Sequence, residues 1–353
     1  MKRRLAFLLY SLLMIVLFFC LLVMIRAKRP DRQTRTGVRF DEFLGWAPDP
    51  PAQGEFIVGQ RRNAVDTQRS HIVFIGDSVG FGTGLTEEDT AAYFLGRMVS
   101  HAQVLNLSVT GYAIDQYFLA LSRELALLRP VLVIVAIYTG NDYQGTTWDN
   151  NYGYRKPIFK VRGDDIVLER VPISRYDCVY VFGHSLLFYL LWKGAVMIDE
   201  WAQSLGRPHG GHRFAVNSLL LDICGSTVIP DDEGAKLIEI LLYKIASLVD
   251  ANGAETLFVL LPDKNDFVDP HYHQNTKERR LVFFQNLLQK LPFRVFDLYE
   301  SVAHSPYCAP GGAETYQCKL EGFYMDSAHM DKEGQMFFAN RLYEYIRDTY
   351  HIE

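Results

Sequence analysis

The sequence predicts an α/β protein built on a doubly wound parallel sheet with helices on both faces. Two observations predict this fold class. From residue 71 onward, short apolar segments alternate with longer amphipathic ones, and such alternation is typical of parallel strands joined by helices. The segment 131–138 is also continuously apolar and mostly β-branched, which suits a central strand covered on both faces.

The individual elements follow from the same two periodicities. Strands are predicted at 71–75, 104–107, 131–138, 256–261 and 294–298. Helices are predicted where apolar residues recur every three or four positions, at 91–99, 115–128, 232–249, 277–288 and 332–350.

Two segments depart from the alternation. Residues 145–230 form an insertion too long for a plain loop, and within it 158–161 and 166–170 are predicted to pair as a hairpin around a Gly-Asp turn. Its stretch 185–192 is apolar enough for a lid or membrane-facing helix, or for a core helix. A second insertion, 301–323, contains two cysteines.

The N-terminal region departs from globular composition. Residues 5–25 carry no charge over 21 positions, which is long enough for a helix to cross the hydrocarbon core of a bilayer. We therefore expect a cytoplasmic tail at 1–4, a transmembrane anchor at 5–25 and a proline-containing linker and entry segment at 26–70. A cleaved signal peptide is the alternative, although its apolar part would be unusually long.

Charge and cysteine content bear on the compartment. Basic residues flank the anchor on both sides, and a strict count of them would leave the C-terminal side in the cytoplasm. Four cysteines follow the anchor: Cys178, Cys224, Cys308 and Cys318. Cys308 and Cys318 bracket a Pro-Gly-Gly loop that a disulfide could close, and free buried thiols are the alternative.

Four polar motifs lie at the ends of predicted strands or just before the last helix. The first strand runs into Gly76-Asp77-Ser78. A serine there can serve as a nucleophile, although the same letters also make an ordinary helix cap. The other motifs are Asn106 to Gly111, Thr139-Gly140-Asn141-Asp142 and Asp326-Ser327-Ala328-His329. Because the carboxyl ends of parallel strands share one edge of a sheet, we expect the motifs to converge there.

The order of these motifs resembles that of the SGNH (GDSL-like) serine hydrolase family, in its membrane-anchored bacterial form, over most of residues 71–345. The resemblance implies a flavodoxin-like five-stranded parallel sheet, the SGNH hydrolase fold, for residues 71–353. It also implies a domain outside the cytoplasm, periplasmic or extracellular. Met330 and Ser108 depart from residues common in the family, but neither change removes a catalytic group.

Roles for individual residues also follow from the resemblance. It implies a catalytic triad in which Ser78 is the nucleophile, His329 the general base and Asp326 the residue that orients the imidazole. The oxyanion hole would consist of the backbone N–H groups of Ser78 and Gly111 and the side-chain amide of Asn141. Asp77 and Asp142 are expected to stabilise turns.

Other residues are weaker candidates. His271 and His273 form a His-x-His pair that could bind a metal, but no third ligand is evident. Asn106 begins a glycosylation sequon that falls at a buried strand end. Four aromatic residues could stack against a sugar ring or simply pack: Trp46, Trp148, Tyr152 and Tyr154.

The leading hypothesis is a serine esterase that removes an acyl group, such as acetyl, from an ester on a cell-envelope glycan. The alternative is an O-acyltransferase that modifies a polysaccharide together with a membrane-bound acyl-carrying partner. A third hypothesis is a catalytically inactive glycan-binding scaffold. No cofactor or metal is implied, and the net charge of −5 gives no reason to expect nucleic-acid binding.

Overall fold

The computed structural model describes residues 38–48, 57–58, 63–66, 68–151, 153–183, 223–268, 281–310, 316–320 and 322–352, with isolated residues between 10 and 18 and between 185 and 198. The strands are, in chain order, β1 (Val38–Asp41), β2 (Gly45–Pro48), β3 (Ile57–Val58), β4 (Asn63–Ala64), β5 (Ser70–Gly76), β6 (Ala102–Asn106), β7 (Pro130–Tyr138), β8 (Asn150–Asn151), β9 (Tyr154–Arg155), β10 (Ile158–Arg162), β11 (Asp165–Glu169), β12 (Glu255–Leu261), β13 (Arg294–Asp297), β14 (Cys308–Pro310) and β15 (Tyr316–Cys318). The α-helices are α1 (Ser78–Phe81), α2 (Ala91–Met98), α3 (Ile114–Leu128), α4 (Asp142–Thr147), α5 (Cys178–Gly183), α6 (Asp231–Ala251), α7 (Asn265–Val268), α8 (Leu281–Lys290), α9 (Leu298–Ala303) and α10 (Lys332–Tyr350).

Five parallel strands form the central sheet, in the order β13-β12-β7-β5-β6. Numbered by their appearance along the chain, these strands have the order 2-1-3-4-5, which is the flavodoxin-like doubly wound arrangement. The predicted α/β fold on a five-stranded parallel sheet is therefore confirmed. Each observed strand lies within two residues of its predicted bounds.

Side chains on the strands alternate between two cores, one on each face of the sheet. In β5, Val73 and Ile75 join the core that includes α3 and α6, whereas Ile72 and Phe74 join the core that includes α2 and α10. Residues 132–137 of β7 are all 0% exposed. Burial on both faces explains why this strand is apolar at successive positions rather than at alternate ones.

Residues 38–48, within the segment predicted as linker and entry segment, form a hairpin that packs into the core. β1 and β2 pair as an antiparallel hairpin, and Val38 and Trp46 are 3% and 0% exposed. Gly45, at φ +87°, lets the hairpin approach the insertion closely, since a Cβ there would lie 2.6 Å from the backbone oxygen of Arg155. The prolines that favoured a linker stand only at the end of β2 and beyond it, so they end the hairpin rather than prevent it.

The insertion is organised around a buried charge and a disulfide. Its strands β10 and β11 pair as the predicted hairpin. Asp149, which is 0% exposed, accepts hydrogen bonds from Arg155 Nη1 at 2.8 Å and from the backbone N–H of Thr227 at 3.0 Å. A disulfide joins Cys178 to Cys224. These contacts tie the beginning of the insertion to its end.

Several predicted features fall outside the described residues. They include all but four residues of the anchor at 5–25, the tail at 1–4 and most of the stretch 185–192. Within the part of the chain that the structure describes, no helix has the length and apolar character needed to span a bilayer. The anchor therefore stays a prediction, and so does the helix at 185–192, whether lid, membrane-facing or core.

Candidate active site

Ser78 lies where β5 ends and α1 begins. A Cβ at Gly76 would lie 3.0 Å from the backbone oxygen of Ala136 on β7, so glycine allows the turn to stay close to the neighbouring strand. Asp77 caps α1, because its Oδ1 accepts the backbone N–H of Val79 at 2.8 Å. Ser78 is 7% exposed. The turn therefore holds the serine hydroxyl at the carboxyl edge of the sheet, beside the strand-order reversal where ligands of such folds bind.

The loop that precedes α10 brings His329 to this serine. His329 Nε2 lies 3.0 Å from Ser78 Oγ, and His329 Nδ1 lies 2.8 Å from Asp326 Oδ2. The other oxygen of Asp326 accepts the backbone N–H groups of Ala328 and His329 at 2.8 and 2.7 Å. The backbone N–H of Met325 donates to His329 O at 2.8 Å and closes the loop. The structure thus joins the three predicted triad residues in one hydrogen-bonded chain.

The Asp326 carboxylate is partly exposed, with 55% of its side chain accessible. Partial burial raises its pKa, but the hydrogen bonds from the His329 side chain and from the backbone N–H groups of His329 and Ala328 outweigh this effect. The net result is a pKa below the ordinary value for aspartate. Asp326 is therefore ionised at neutral pH and can balance a positive charge on the imidazole.

Asp77 is a second carboxylate at the site, in a different environment. It is 0% exposed, and its Oδ2 accepts the Ser78 hydroxyl at 3.2 Å. Burial raises the pKa of Asp77, and the backbone N–H of Val79, the charge of His329 and the side chains of Asn141 and Ser78 offset this rise only in part. Asp77 therefore links the turn that carries the serine to the amide of Asn141.

The two other predicted site residues lie at the same edge of the sheet. Gly111 is in the loop between β6 and α3 and has φ +79°, in the left-handed region that favours glycine. This loop continues alongside β5, since the backbone N–H of Val109 donates to Gly76 O at 3.1 Å. Asn141 follows β7 and stands at the N-terminal end of α4. The structure therefore places Ser78, Gly111 and Asn141 together beyond the carboxyl ends of three adjacent strands.

Buried polar groups around Asp142 accompany the site, and of these only Asp142 was expected from the sequence, as a residue that stabilises a turn. Asp142 is 0% exposed and accepts hydrogen bonds from the Tyr117 hydroxyl and from the backbone N–H of Tyr138, each at 3.0 Å. Burial raises the pKa of Asp142 well above its ordinary value. Lys156 and Asp115 form a second buried contact, as an ion pair. Their 41-residue separation leaves no local spacing by which the sequence could have indicated this pair.

The metal and glycosylation candidates gain no support. His271 and His273 lie outside the described residues. Among the residues that are described, no three His, Cys, Asp or Glu side chains are grouped as a metal site would require. Asn106 is 3% exposed, and its side-chain amide donates to Gly80 O at 3.1 Å. Its amide is therefore part of the support for the serine turn rather than a surface acceptor for a glycan.

Of the four aromatic candidates for sugar stacking, two are buried in the interior and two are not shown to be. Trp46 and Tyr154 are 0% and 1% exposed, with ring centroids 6.0 Å apart, so they pack in the interior. Trp148 is half-buried and bridges to Val228, whereas Tyr152 lies outside the described residues. The packing interpretation thus holds for the first two.

Both pairs of cysteines beyond the predicted anchor are joined. A disulfide links Cys308 to Cys318 across the short β14–β15 hairpin, in addition to the bond between Cys178 and Cys224. The second insertion is therefore closed by a covalent bond, and so is the first.

Comparison with known proteins gives remote structural likenesses. No family model matches this sequence, and no curated protein matches it. Among solved structures, a crystal structure of TesA is 14% identical, with 79% of this chain and 97% of that chain covered and a TM-score of 0.39. The psychrotrophic esterase EstA from Pseudoalteromonas sp., inhibited by monoethylphosphonate, is 12% identical over 79% and 98% of the two chains, with a TM-score of 0.40. An acetyl xylan esterase, AlAXEase, is 11% identical over 78% and 99%, with a TM-score of 0.42. At these identities and TM-scores the likeness assigns no reaction to this chain. The function is therefore inferred from the geometry of the site.

Proposed function

We propose that this chain is a serine esterase that removes an acyl group from an ester through an acyl-serine intermediate. The observation that carries the proposal is the chain of contacts from Ser78 Oγ to His329 Nε2 at 3.0 Å and from His329 Nδ1 to Asp326 Oδ2 at 2.8 Å. Over such distances a base can take the proton of a hydroxyl nucleophile while a third group orients the base.

The geometry supports a two-step reaction. Asp326 accepts the Nδ1–H of His329, which leaves the Nε2 lone pair facing Ser78. As Ser78 Oγ attacks the carbonyl carbon, Nε2 takes its proton and then gives that proton to the departing alcohol. Water repeats these steps on the acyl-serine, releasing the acid and restoring the serine. The hydroxyl can also point to Asp77 at 3.2 Å, and the shorter contact with His329 is the productive one.

We assign the oxyanion hole to the backbone N–H groups of Ser78 and Gly111 and to the Asn141 amide. An amide group has two N–H donors. One donor of Asn141 serves the buried carboxylate of Asp77, which holds the group in place, and the second can meet the developing oxyanion. Neutral donors fixed in advance suit a site where negative charge appears only in the transition state.

The substrate that we propose is a short acyl ester, such as an acetyl ester, on a cell-envelope glycan. The predicted anchor supports a site close to a membrane, and two disulfides support a domain outside the cytoplasm, because such bonds persist in oxidising compartments. An O-acyltransferase working beside a membrane-bound acyl-carrying partner would form the same acyl-serine. It differs only in the acceptor, which would be a sugar hydroxyl instead of water.

The proposal is tested by trapping the nucleophile in the full-length chain, purified in detergent. A fluorophosphonate should label Ser78, as read by mass spectrometry, and Ser78→Ala should lose the adduct. Ser122→Ala, on the outer surface of α3, serves as the matched control and should label like the wild type. Labelling at a different serine would contradict the assignment.

The acceptor is then identified by product analysis. Acetate release from acetylated glycan should proceed in buffer alone if the chain is an esterase. If release requires a sugar acceptor and the acyl group appears on it, the chain is a transferase.

A further inference from the structure

The peptide bond between Thr110 and Gly111 is held by a side chain from outside the sheet. Trp46, in the β1–β2 hairpin, donates its indole N–H to Thr110 O at 3.1 Å. This peptide bond is trans, and in a planar trans peptide the C=O and the N–H point in opposite directions. Fixing the oxygen of Thr110 therefore fixes the direction of the Gly111 N–H. We infer that Trp46 is a positioning residue for the oxyanion hole, and this inference rests on the proposed function.

Such a constraint is needed at this position because of the glycine. Gly111 has φ +79°, and glycine adopts positive and negative φ about equally well. Rotation of the Thr110–Gly111 peptide plane would turn the Gly111 N–H away from the serine without a steric penalty at Gly111. The hydrogen bond from Trp46 favours the observed orientation of this peptide, which in the proposed oxyanion hole is the one that presents the Gly111 N–H to the substrate.

Trp46 is itself rigidly placed. Its side chain is 0% exposed, and its ring packs edge-on against Tyr112 at 5.7 Å. Its backbone oxygen accepts the Tyr112 hydroxyl at 2.8 Å. The indole N–H can only donate, so in this hydrogen bond Trp46 is the donor and Thr110 O the acceptor. The hairpin and the loop of Gly111 thus hold each other through two hydrogen bonds that run in opposite directions.

The next peptide plane has a donor of its own. Asn151, on β8 of the insertion, donates its side-chain amide to Gly111 O at 3.3 Å. This contact fixes the peptide that follows Gly111, whose N–H belongs to Tyr112, and so it acts on the proposed donor only indirectly. Of these two contacts, the one from Trp46 therefore controls the Gly111 N–H directly.

The test compares Trp46→Phe with Tyr112→Phe in the full-length chain. Trp46→Phe keeps an aromatic ring but removes the donor to Thr110 O. Removing one oxyanion donor typically costs about 100- to 1000-fold in kcat. In Trp46→Phe the Gly111 N–H is still present and loses only its fixed orientation. We therefore expect a smaller loss of about 10- to 100-fold in kcat, with KM nearly unchanged. Fluorophosphonate inactivation should slow by a similar factor, since the phosphonyl oxygen needs the same donors.

Tyr112→Phe is the matched control, because it removes the other hydrogen bond between the hairpin and this loop and leaves the contact with Thr110 intact. It should keep kcat within about threefold of the wild type, even where its melting temperature falls as far as that of Trp46→Phe. If Trp46→Phe does not fold, replacement of Trp46 by the isosteric benzothienylalanine, which lacks the N–H, takes its place.

The outcomes separate this inference from the proposed function. Loss of kcat in the Trp46 variant alone supports the positioning role. Equal losses in both variants, or a rise in KM alone, would overturn it while Ser78 labelling stands. Absence of Ser78 labelling in the wild type would instead overturn the proposed function, and the positioning role with it.

Discussion

Two loops meet at Ser78 Oγ, and each brings a carboxylate to the site. The turn after β5 carries Asp77, which is 0% exposed, has a raised pKa and is bound by groups that stay neutral. The loop before α10 carries Asp326, whose side chain is 55% exposed and whose pKa is lowered. Both lie within hydrogen-bond reach of a member of the Ser78–His329 pair.

The difference shows that a carboxylate's role is decided by its partner rather than by its distance from the nucleophile. Asp77 is one residue from the serine, but the serine turn and the Asn141 amide occupy it. Asp326 contacts the imidazole nitrogen remote from the serine, where positive charge appears when His329 takes a proton. Asp326 is therefore the residue suited to stabilise that charge, and Asp77 the residue suited to hold the site in shape.

Removal of the reacting pair should give the largest effect. Ser78→Ala and His329→Ala should each lower kcat by several orders of magnitude, and the double variant should be little worse than either single one, because the two groups act as a unit. Steady-state assays of the three variants test this. If the double variant lost the product of the two single factors, Ser78 and His329 would act independently and the proposed proton transfer would be wrong.

Replacement of Asp326, in the loop before α10, should give the next largest loss of kcat. Asp326→Asn keeps the shape of the side chain but favours the wrong imidazole tautomer, and we expect a loss of about 100- to 10,000-fold in kcat. Asp77→Asn should lose less, because asparagine caps a helix as well as aspartate does. Kinetic assays of both variants rank the two carboxylates. A larger loss from Asp77→Asn would reverse the roles assigned to the two loops.

The oxyanion amide should give a smaller loss of a different kind. Asn141→Ala should lower kcat by about 100- to 1000-fold with little change in KM, because its bond to the oxyanion strengthens only in the transition state. Initial-rate measurements over a range of ester concentrations separate the two parameters. A rise in KM at constant kcat would make Asn141 a substrate-binding residue instead.

The smallest expected effect is on the free energy of unfolding. Its dependence on pH should have opposite signs for the two carboxylates. Asp77 has a raised pKa in the folded protein, so the folded state binds more protons and the stability of the wild type relative to Asp77→Asn should fall as pH rises above about 4. Asp326 has a lowered pKa, so its contribution should be present above about pH 4 and be lost as pH falls below that value. Urea unfolding between pH 3 and 7 measures both differences. Parallel curves for the two variants would contradict the environments described here.

The sheet, and the edge at which Ser78, Asp326 and His329 gather, could be predicted from the sequence because their signals are local. The catalytic roles of these three residues came from the resemblance to a known family and stay predictions. The strand β7 is apolar at nearly every position, and each polar motif follows directly after a strand or precedes a helix. Trp46 could not be placed in the same way. Its hairpin is only 11 residues long and ends at a proline, and its partner Thr110 lies 64 positions away. Contacts of that range depend on how elements pack, which local periodicity does not encode.

Ser78 and His329 are separated by 251 positions in the chain. A ribosome adds about 5 to 20 residues per second, so the serine is made roughly 12 to 50 s before the histidine. During that interval β5 and its neighbours can already pair, since most of their partners have been synthesised, but the hydroxyl has no base beside it. The histidine arrives only when α10 packs against α2. In the proposed mechanism an unfinished chain therefore carries a serine without its base, and ester turnover would report that the last helix has docked.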